Sequence, residues 1–285
     1  MQASDELVLV TVSGGVARIR FNRPRALNAI DTALARRWRD AVREVRSRAD
    51  VRAVVLSGEG RAFMAGGDLR AFHDDLSNAG ATAKAIIDAV NKGLLGLAQG
   101  DAPVIASVHG AVAGAGMSIA LGADLCVAAS DTVFNLAYAR IGASPDAGGS
   151  WYLPRIVGLR RAMSIALLPE SIPAIQALQL GLVNRVVPEG SLESETEALA
   201  ARLAQGPTSA FGRIRRLLRA SFEHDLAGQL AAERDAFVQG AETKEFRDGV
   251  DAFVNKRAPV FNDSKRRGVK KVKTANAAPP QPANG

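Results

Sequence analysis

Hydrophobic residues along this chain change period several times, and each change marks an element. Two short β-type runs, over 7–12 and 16–21, flank Ser13-Gly14-Gly15, which is the pattern of a hairpin. From Asp31, a residue type suited to an N-cap, Leu34, Trp38, Ala41, Val42 and Val45 recur at helical spacing and predict a helix through residue 48. Val54-Val55-Leu56 then reads as a buried strand, 82–99 as a helix and 104–108 as another strand. A short apolar helix opens near Met117, with strand runs at 125–128 and 132–135. Strands separated by crossover helices predict an α/β fold with a largely parallel sheet. After Pro188 the pattern is helical only, near 192–205, 209–221, 225–239 and 243–255.

This pattern divides the chain into an α/β core over 1–195, a helical region over 196–262 and a tail over 263–285 that loses apolar periodicity. The tail, expected to be disordered, also explains the charge. The chain has 285 residues and a net charge of +7, of which Lys265, Arg266, Arg267, Lys270, Lys271 and Lys273 supply +6, leaving +1 for the rest. A near-neutral body argues against a nucleic-acid partner, which needs clustered Lys and Arg on the fold itself. No apolar run approaches the roughly 18 residues of a membrane span, and the acidic start Met1-Gln2-Ala3-Ser4-Asp5-Glu6 lacks a signal-peptide core, so a cytoplasmic protein without a membrane partner is expected. With 47% hydrophobic and 23% charged residues the chain can bury one large core. The single cysteine, Cys126, reads as a buried strand thiol.

Candidate chemistry concentrates in three glycine-rich stretches: Arg61 to Leu69, Gly110 to Gly116, and the segment around Ser144-Pro145-Asp146-Ala147-Gly148-Gly149-Ser150-Trp151. A Pro-Asp pair alone reads as a turn or an N-cap. His109, Ser118 and Asp124 occur together, but no Gly-x-Ser-x-Gly elbow accompanies Ser118, which argues against a Ser-His-Asp triad. No His, Cys and carboxylate spacing suggests a metal site. Neither glycine run ends in Gly-Lys-Ser/Thr or has the dinucleotide order, so nucleotide loops are not indicated.

The ordered blocks Asn22-Arg23-Pro24 with Leu27-Asn28-Ala29, Ala65-Gly66-Gly67-Asp68, 103–106 leading into His109-Gly110, and Gly181-Leu182-Val183 resemble the crotonase (enoyl-CoA hydratase/isomerase) superfamily over residues 5–262. The resemblance implies a ββα spiral, an acyl-CoA thioester substrate whose coenzyme A is part of that substrate, no other cofactor, and C-terminal helices that build a homotrimer or hexamer. It places two oxyanion donors at the N–H groups of Gly67 and Ala115. Preorganised donors of that kind suit the charge that develops on a thioester carbonyl. In the hydratase branch two glutamates work on one water; their positions here hold Ser118 and Tyr138. An aspartate at position 146 resembles the catalytic residue of ring-epoxide isomerases of phenylacetate catabolism and that of 4-chlorobenzoyl-CoA dehalogenase.

The resemblance therefore implies an isomerase with Asp146 as its acid/base. A nucleophilic aspartate, a hydratase and a non-catalytic acyl-CoA binder remain as alternatives. Ala26, Asp68, Leu69, Arg70, Ser118, Tyr138 and Trp151 are expected to line the substrate, with Tyr138 and Trp151 as aromatic walls that desolvate Asp146. Phe253 and Lys256 are expected at the nucleotide end of a neighbouring subunit's CoA.

Overall fold

The computed structural model describes residues 6–262. The basic tail expected over 263–285 lies outside the described residues. In chain order the elements are strands β1 (Val8–Ser13) and β2 (Val16–Phe21), helix α1 (Thr32–Arg46), β3 (Ala53–Gly58), helices α2 (Leu69–His73) and α3 (Ala79–Gln99), and strands β4 (Val104–Val108) and β5 (Ala111–Ala113). Then come α4 (Ala115–Leu121), β6 (Leu125–Ala129), β7 (Val133–Asn135), α5 (Gly149–Val157), α6 (Leu159–Leu167), β8 (Ile172–Pro173), α7 (Ala174–Leu180) and β9 (Arg185–Val187). Four helices close the described chain: α8 (Leu192–Gln205), α9 (Thr208–Ala220), α10 (Leu226–Ala241) and α11 (Lys244–Val254).

The main sheet has the order β1-β2-β3-β4-β6-β9. The β1–β2 hairpin is antiparallel and every later pair is parallel, as the spacing of strands and helices predicts. Both faces are covered, which is why the central strands read as continuous apolar runs. Ala17, Ile19, Val54, Leu56, Val104, Ala106, Cys126 and Ala128 point to the side of α1, α3 and α4, where Trp38 and Phe21 stack with ring centroids 5.4 Å apart. The alternate residues Val16, Ala53, Val55, Ile105, Val127 and Ala129 face α8 through its buried Ala200 and Ala204. The division expected at residue 195 falls inside α8, whose inner face belongs to this second core layer. Asp31 caps α1 by accepting the Leu34 N–H at 2.8 Å, and α1 ends at Arg46, two residues before its expected end.

A smaller sheet, β5-β7-β8, stands beside the main one. It matters because β5 leads directly into α4 and β7 leads into the loop that carries Tyr138. On the other side, α9 is docked by Arg215, which is buried and pairs with Asp124 at 2.7 Å while donating to the carbonyls of Ala102 and Leu97 at 3.0 Å. Cys126 is a buried free thiol, and burial pushes its pKa up to about 12, which keeps it protonated and unreactive. Among the described residues no helix is long and apolar enough to cross a membrane.

Candidate active site

Asn28 builds the first wall. It is fully buried in the left-handed region (φ 56°), accepts the Arg23 N–H at 2.8 Å and donates to the carbonyls of Ala62 and Phe63 at 2.8 and 3.1 Å. Segment 27–30 is thereby fixed against segment 62–68, and three backbone bonds complete the seam: Ala65 N–H to Leu27 O, Ile30 N–H to Gly66 O, and Asp68 N–H to Ile30 O. Met64 pairs in turn with Ala111 and Ala113 of β5. The two glycine turns are thus brought side by side.

At that junction Gly66 has φ +103° and Gly114 φ +49°, and a Cβ on Gly66 would lie 3.2 Å from the Ala113 carbonyl oxygen. Only glycine fits such a backbone at so close an approach. Gly67 is exposed just after the first turn, and Ala115 is the first residue of α4 just after the second. Among the described residues neither N–H has an acceptor. Two free backbone donors, one at a helix N-terminus, therefore issue from adjacent turns.

The neighbouring side chains divide. Asp68 caps α2 by accepting the Arg70 N–H at 3.1 Å and pairs with Arg23 at 2.7 Å, so its carboxylate is spent on holding the turn. Burial raises its pKa, but the Arg23 hydrogen bond and the Arg70 N–H outweigh that and keep it below the usual carboxylate range. Leu69 is half exposed, Arg70 is exposed and Ala26 sits in the short 3-10 turn Pro24–Ala26. All four are on the segments that flank Gly67. Phe253 and Lys256 stand exposed at the end of α11, so the single chain gives them no site of their own.

The second wall carries the carboxylate. Asp146 lies just before α5, followed by Ala147 and Gly148 in the left-handed region (φ 49° and 80°), and its carbonyl accepts the Gly149 N–H at 2.8 Å. Tyr138 leaves a 3-10 turn whose preceding residue, Ala137, is also left-handed (φ 51°) and is tied down by the Asn135 side chain at 2.8 Å. The Tyr138 hydroxyl donates a hydrogen bond to Asp146 Oδ1. Ser118, fully buried on α4 one turn after Ala115, lies 3.2 Å from the same hydroxyl. The phenol proton is committed to the carboxylate, so Ser118 is the donor in that contact. Burial raises the Asp146 pKa, and the Tyr138 hydrogen bond only partly offsets it. Burial, then the Asp146 charge, pushes the Tyr138 hydroxyl far up, so it stays protonated.

Asn135 joins the two walls, since its backbone carbonyl accepts the Gly114 N–H at 2.9 Å while its side chain holds the Tyr138 turn. Neither Asn28 nor Asn135 stands among the expected site residues, although both lie in quoted segments; the signal is their ability to cap backbone in left-handed turns. Trp151 lies on α5 against Tyr152 and Arg155, with the guanidinium 4.0 Å from its ring centroid. His109, Ser118 and Asp124 form no triad: His109 Nε2 is bonded to the Gly60 carbonyl at 2.8 Å and Asp124 to the arginines of α9. Two surface cavities of about 400 and 310 Å³ are lined by other residues and exclude Gly67, Ala115 and Asp146.

The constellation is two free N–H donors on adjacent turns, tied through Asn135 and Tyr138 to one carboxylate whose pKa is raised by burial, without a metal cluster among the described residues. It suits proton transfer next to a carbonyl that must carry negative charge. A family model described as enoyl-CoA hydratase/isomerase matches residues 11–265. Relatives include a probable enoyl-CoA hydratase of Rhodobacter capsulatus, 39% identical over 88% of this chain and 95% of its own length. The 1,2-epoxyphenylacetyl-CoA isomerase of Escherichia coli is 34% identical over 90% of this chain and 98% of its own. A solved enoyl-CoA hydratase/isomerase from Cupriavidus metallidurans superposes with a TM-score of 0.84 at 30% identity, covering 92% of this chain and 97% of that one.

Proposed function

The chain belongs to the enoyl-CoA hydratase/isomerase family, the crotonase superfamily, and from that premise we propose that it is an enoyl-CoA isomerase that moves a proton with one carboxylate. The thioester carbonyl docks between the N–H groups of Gly67 and Ala115, which stabilise the enolate oxygen as charge develops on it. Asp146 takes a carbon-bound proton through its free oxygen, the C–H electron pair enters the conjugated system, and the same carboxyl returns the proton to another carbon. No atom is gained or lost overall.

The observation that carries this reading is the pair of hydroxyls at 118 and 138. Hydration needs a positioned water and a second acid/base group, and here both places hold groups that donate towards Asp146 instead of ionising. Two relatives named as isomerases, of Escherichia coli and of Streptococcus mutans, at 34% and 32% identity, favour the same choice.

A homotrimer or hexamer is part of the proposal. Leu218, Phe222, Leu226, Leu230, Phe237 and Phe253 are each more than half exposed on the C-terminal helices and the α9–α10 turn, more apolar surface than a monomer ordinarily leaves in water. In that assembly Phe253 and Lys256 serve the nucleotide end of a neighbour's CoA.

The test is turnover of a panel of enoyl-CoA thioesters with product analysis by chromatography. Positional isomers support the reading, hydroxyacyl-CoA as the main product overturns it, and chloride release from 4-chlorobenzoyl-CoA transfers Asp146 to a nucleophilic role.

A further inference from the structure

Two polar groups, Ser118 and Tyr138, converge on Asp146 from different elements, yet the proton transfer described above needs only the carboxylate. Tyr138 approaches from the 3-10 turn after β7 and Ser118 from α4. Their order is fixed by hydrogen-bond chemistry. The carboxylate only accepts, Tyr138 gives it the phenol proton, and the Tyr138 oxygen then accepts from Ser118.

We propose that Tyr138, oriented by Ser118, is a positioning residue that occupies Oδ1 of Asp146 and leaves Oδ2 as the one atom that exchanges a proton with substrate. The inference rests on the isomerase reading and deepens it. Two consequences follow from the geometry. Holding one oxygen restricts rotation of the carboxylate, so the lone pairs of Oδ2 keep a narrow range of directions, which a proton shift between two carbons of one bound substrate requires. Holding Oδ1 also leaves Asp146 fewer lone pairs with which to orient a water, so the hydroxyl pair favours isomerisation over hydration.

The surroundings make Tyr138 the dominant partner. From α5, Tyr152 packs beside Gly148 and Gly122 and Arg155 is stacked on Trp151, and no ion pair to Asp146 is formed among the described residues. The groups that face the carboxyl are therefore Tyr138 directly and Ser118 through it. The hydrogen bond from Tyr138 lowers the Asp146 pKa against the opposing effect of burial, so deleting it must move that carboxyl upward.

The test compares wild type, Tyr138→Phe and Ser118→Ala in the full chain, each checked for wild-type circular dichroism. Two readouts are used: steady-state kinetics on the best enoyl-CoA as a function of pH, and titration of the Asp146 carboxyl by ¹³C NMR, assigned against Asp146→Asn. Tyr138→Phe is expected to lower kcat about 10- to 100-fold with KM within threefold, and to shift the acid limb of kcat and the NMR midpoint to higher pH. Ser118→Ala should move both in the same direction by less. An unshifted midpoint in Tyr138→Phe overturns the proposal even if no substrate is ever turned over. A raised KM with unchanged kcat also overturns it, making Tyr138 a wall of the acyl pocket. If wild type turns over no enoyl-CoA while the midpoint still shifts, the isomerase reading fails and the positioning of Asp146 stands.

Discussion

Gly149→Ala probes how tightly the two walls are fitted. A Cβ at 149 would lie 2.5 Å from Ser118 Oγ, 3.4 Å from Ser118 Cβ and 3.5 Å from Pro145 Cβ. The Oγ contact is about 1 Å short of van der Waals distance. Ser118 is fully buried on α4, so the relief must come from moving α5 and the Asp146 loop or from rotating the serine away from Tyr138. Overpacking of this kind costs about 1–3 kcal/mol, or roughly 2–5 °C in Tm for a chain of this size. A shift of about 1 Å at the base should lower kcat about 10²-fold.

Calorimetry and steady-state kinetics on the single variant and on Gly149→Ala/Ser118→Ala complete the case. In the double variant the 2.5 Å contact is gone and the nearest remaining distance, 3.4 Å, is tolerable. Most of the lost Tm should return, while kcat should recover only to the level of Ser118→Ala alone because the Ser118–Tyr138 hydrogen bond is absent. A single variant with wild-type Tm and kcat, or a double variant no more stable than the single, refutes the packing argument.

Ala115→Pro should delete one donor and little else, because Ala115 is the first residue of α4 and proline is well accommodated there. A folded variant should lose about 10² to 10³ in kcat, and unchanged kcat would remove Ala115 from the oxyanion site. Light scattering should report a trimer or hexamer, and Lys256→Glu should raise KM for CoA thioesters with kcat nearly constant, since a contact to the nucleotide is alike in ground and transition states. A monomer, or an unaltered KM, contradicts the intersubunit contact.

Periodicity was enough for the elements that bury a clear stripe or run. The helix Thr32–Arg46 with its Asp31 cap and the strands Val104–Val108 and Leu125–Ala129 follow from it because nearly all their apolar residues enter one of the two core layers. Between residues 159 and 187 the same reasoning assigned nothing. There α6 does space Leu159, Ala162, Met163, Ala166 and Leu167 as a helix, but α6 and α7 are only nine and seven residues long and leave Leu159, Met163, Leu167 and Ile175 exposed, and β8 is two residues long, so the segments are too short to stand out.

At the site, the glycine turns were legible because a positive φ and close backbone contact demand glycine. The Tyr138–Asp146 bond was not: it depends on Ala137 and Ala147 holding left-handed conformations, which alanine does not advertise, and on Asn135 fixing the turn. Tyr138 was expected as an aromatic wall, whereas its hydroxyl is the part the fold puts to use. Asp68 was expected to face substrate, and its local capping position was the competing signal.

The claim at the centre is that Asp146 alone moves the proton, and the most direct measurement is turnover and binding of the same enoyl-CoA by Asp146→Asn. The amide keeps the shape of the side chain and loses the base, so kcat should fall about 10³-fold or more while the Kd from calorimetry stays within about tenfold. Turnover within tenfold of wild type would show that another group carries the proton and would contradict the account.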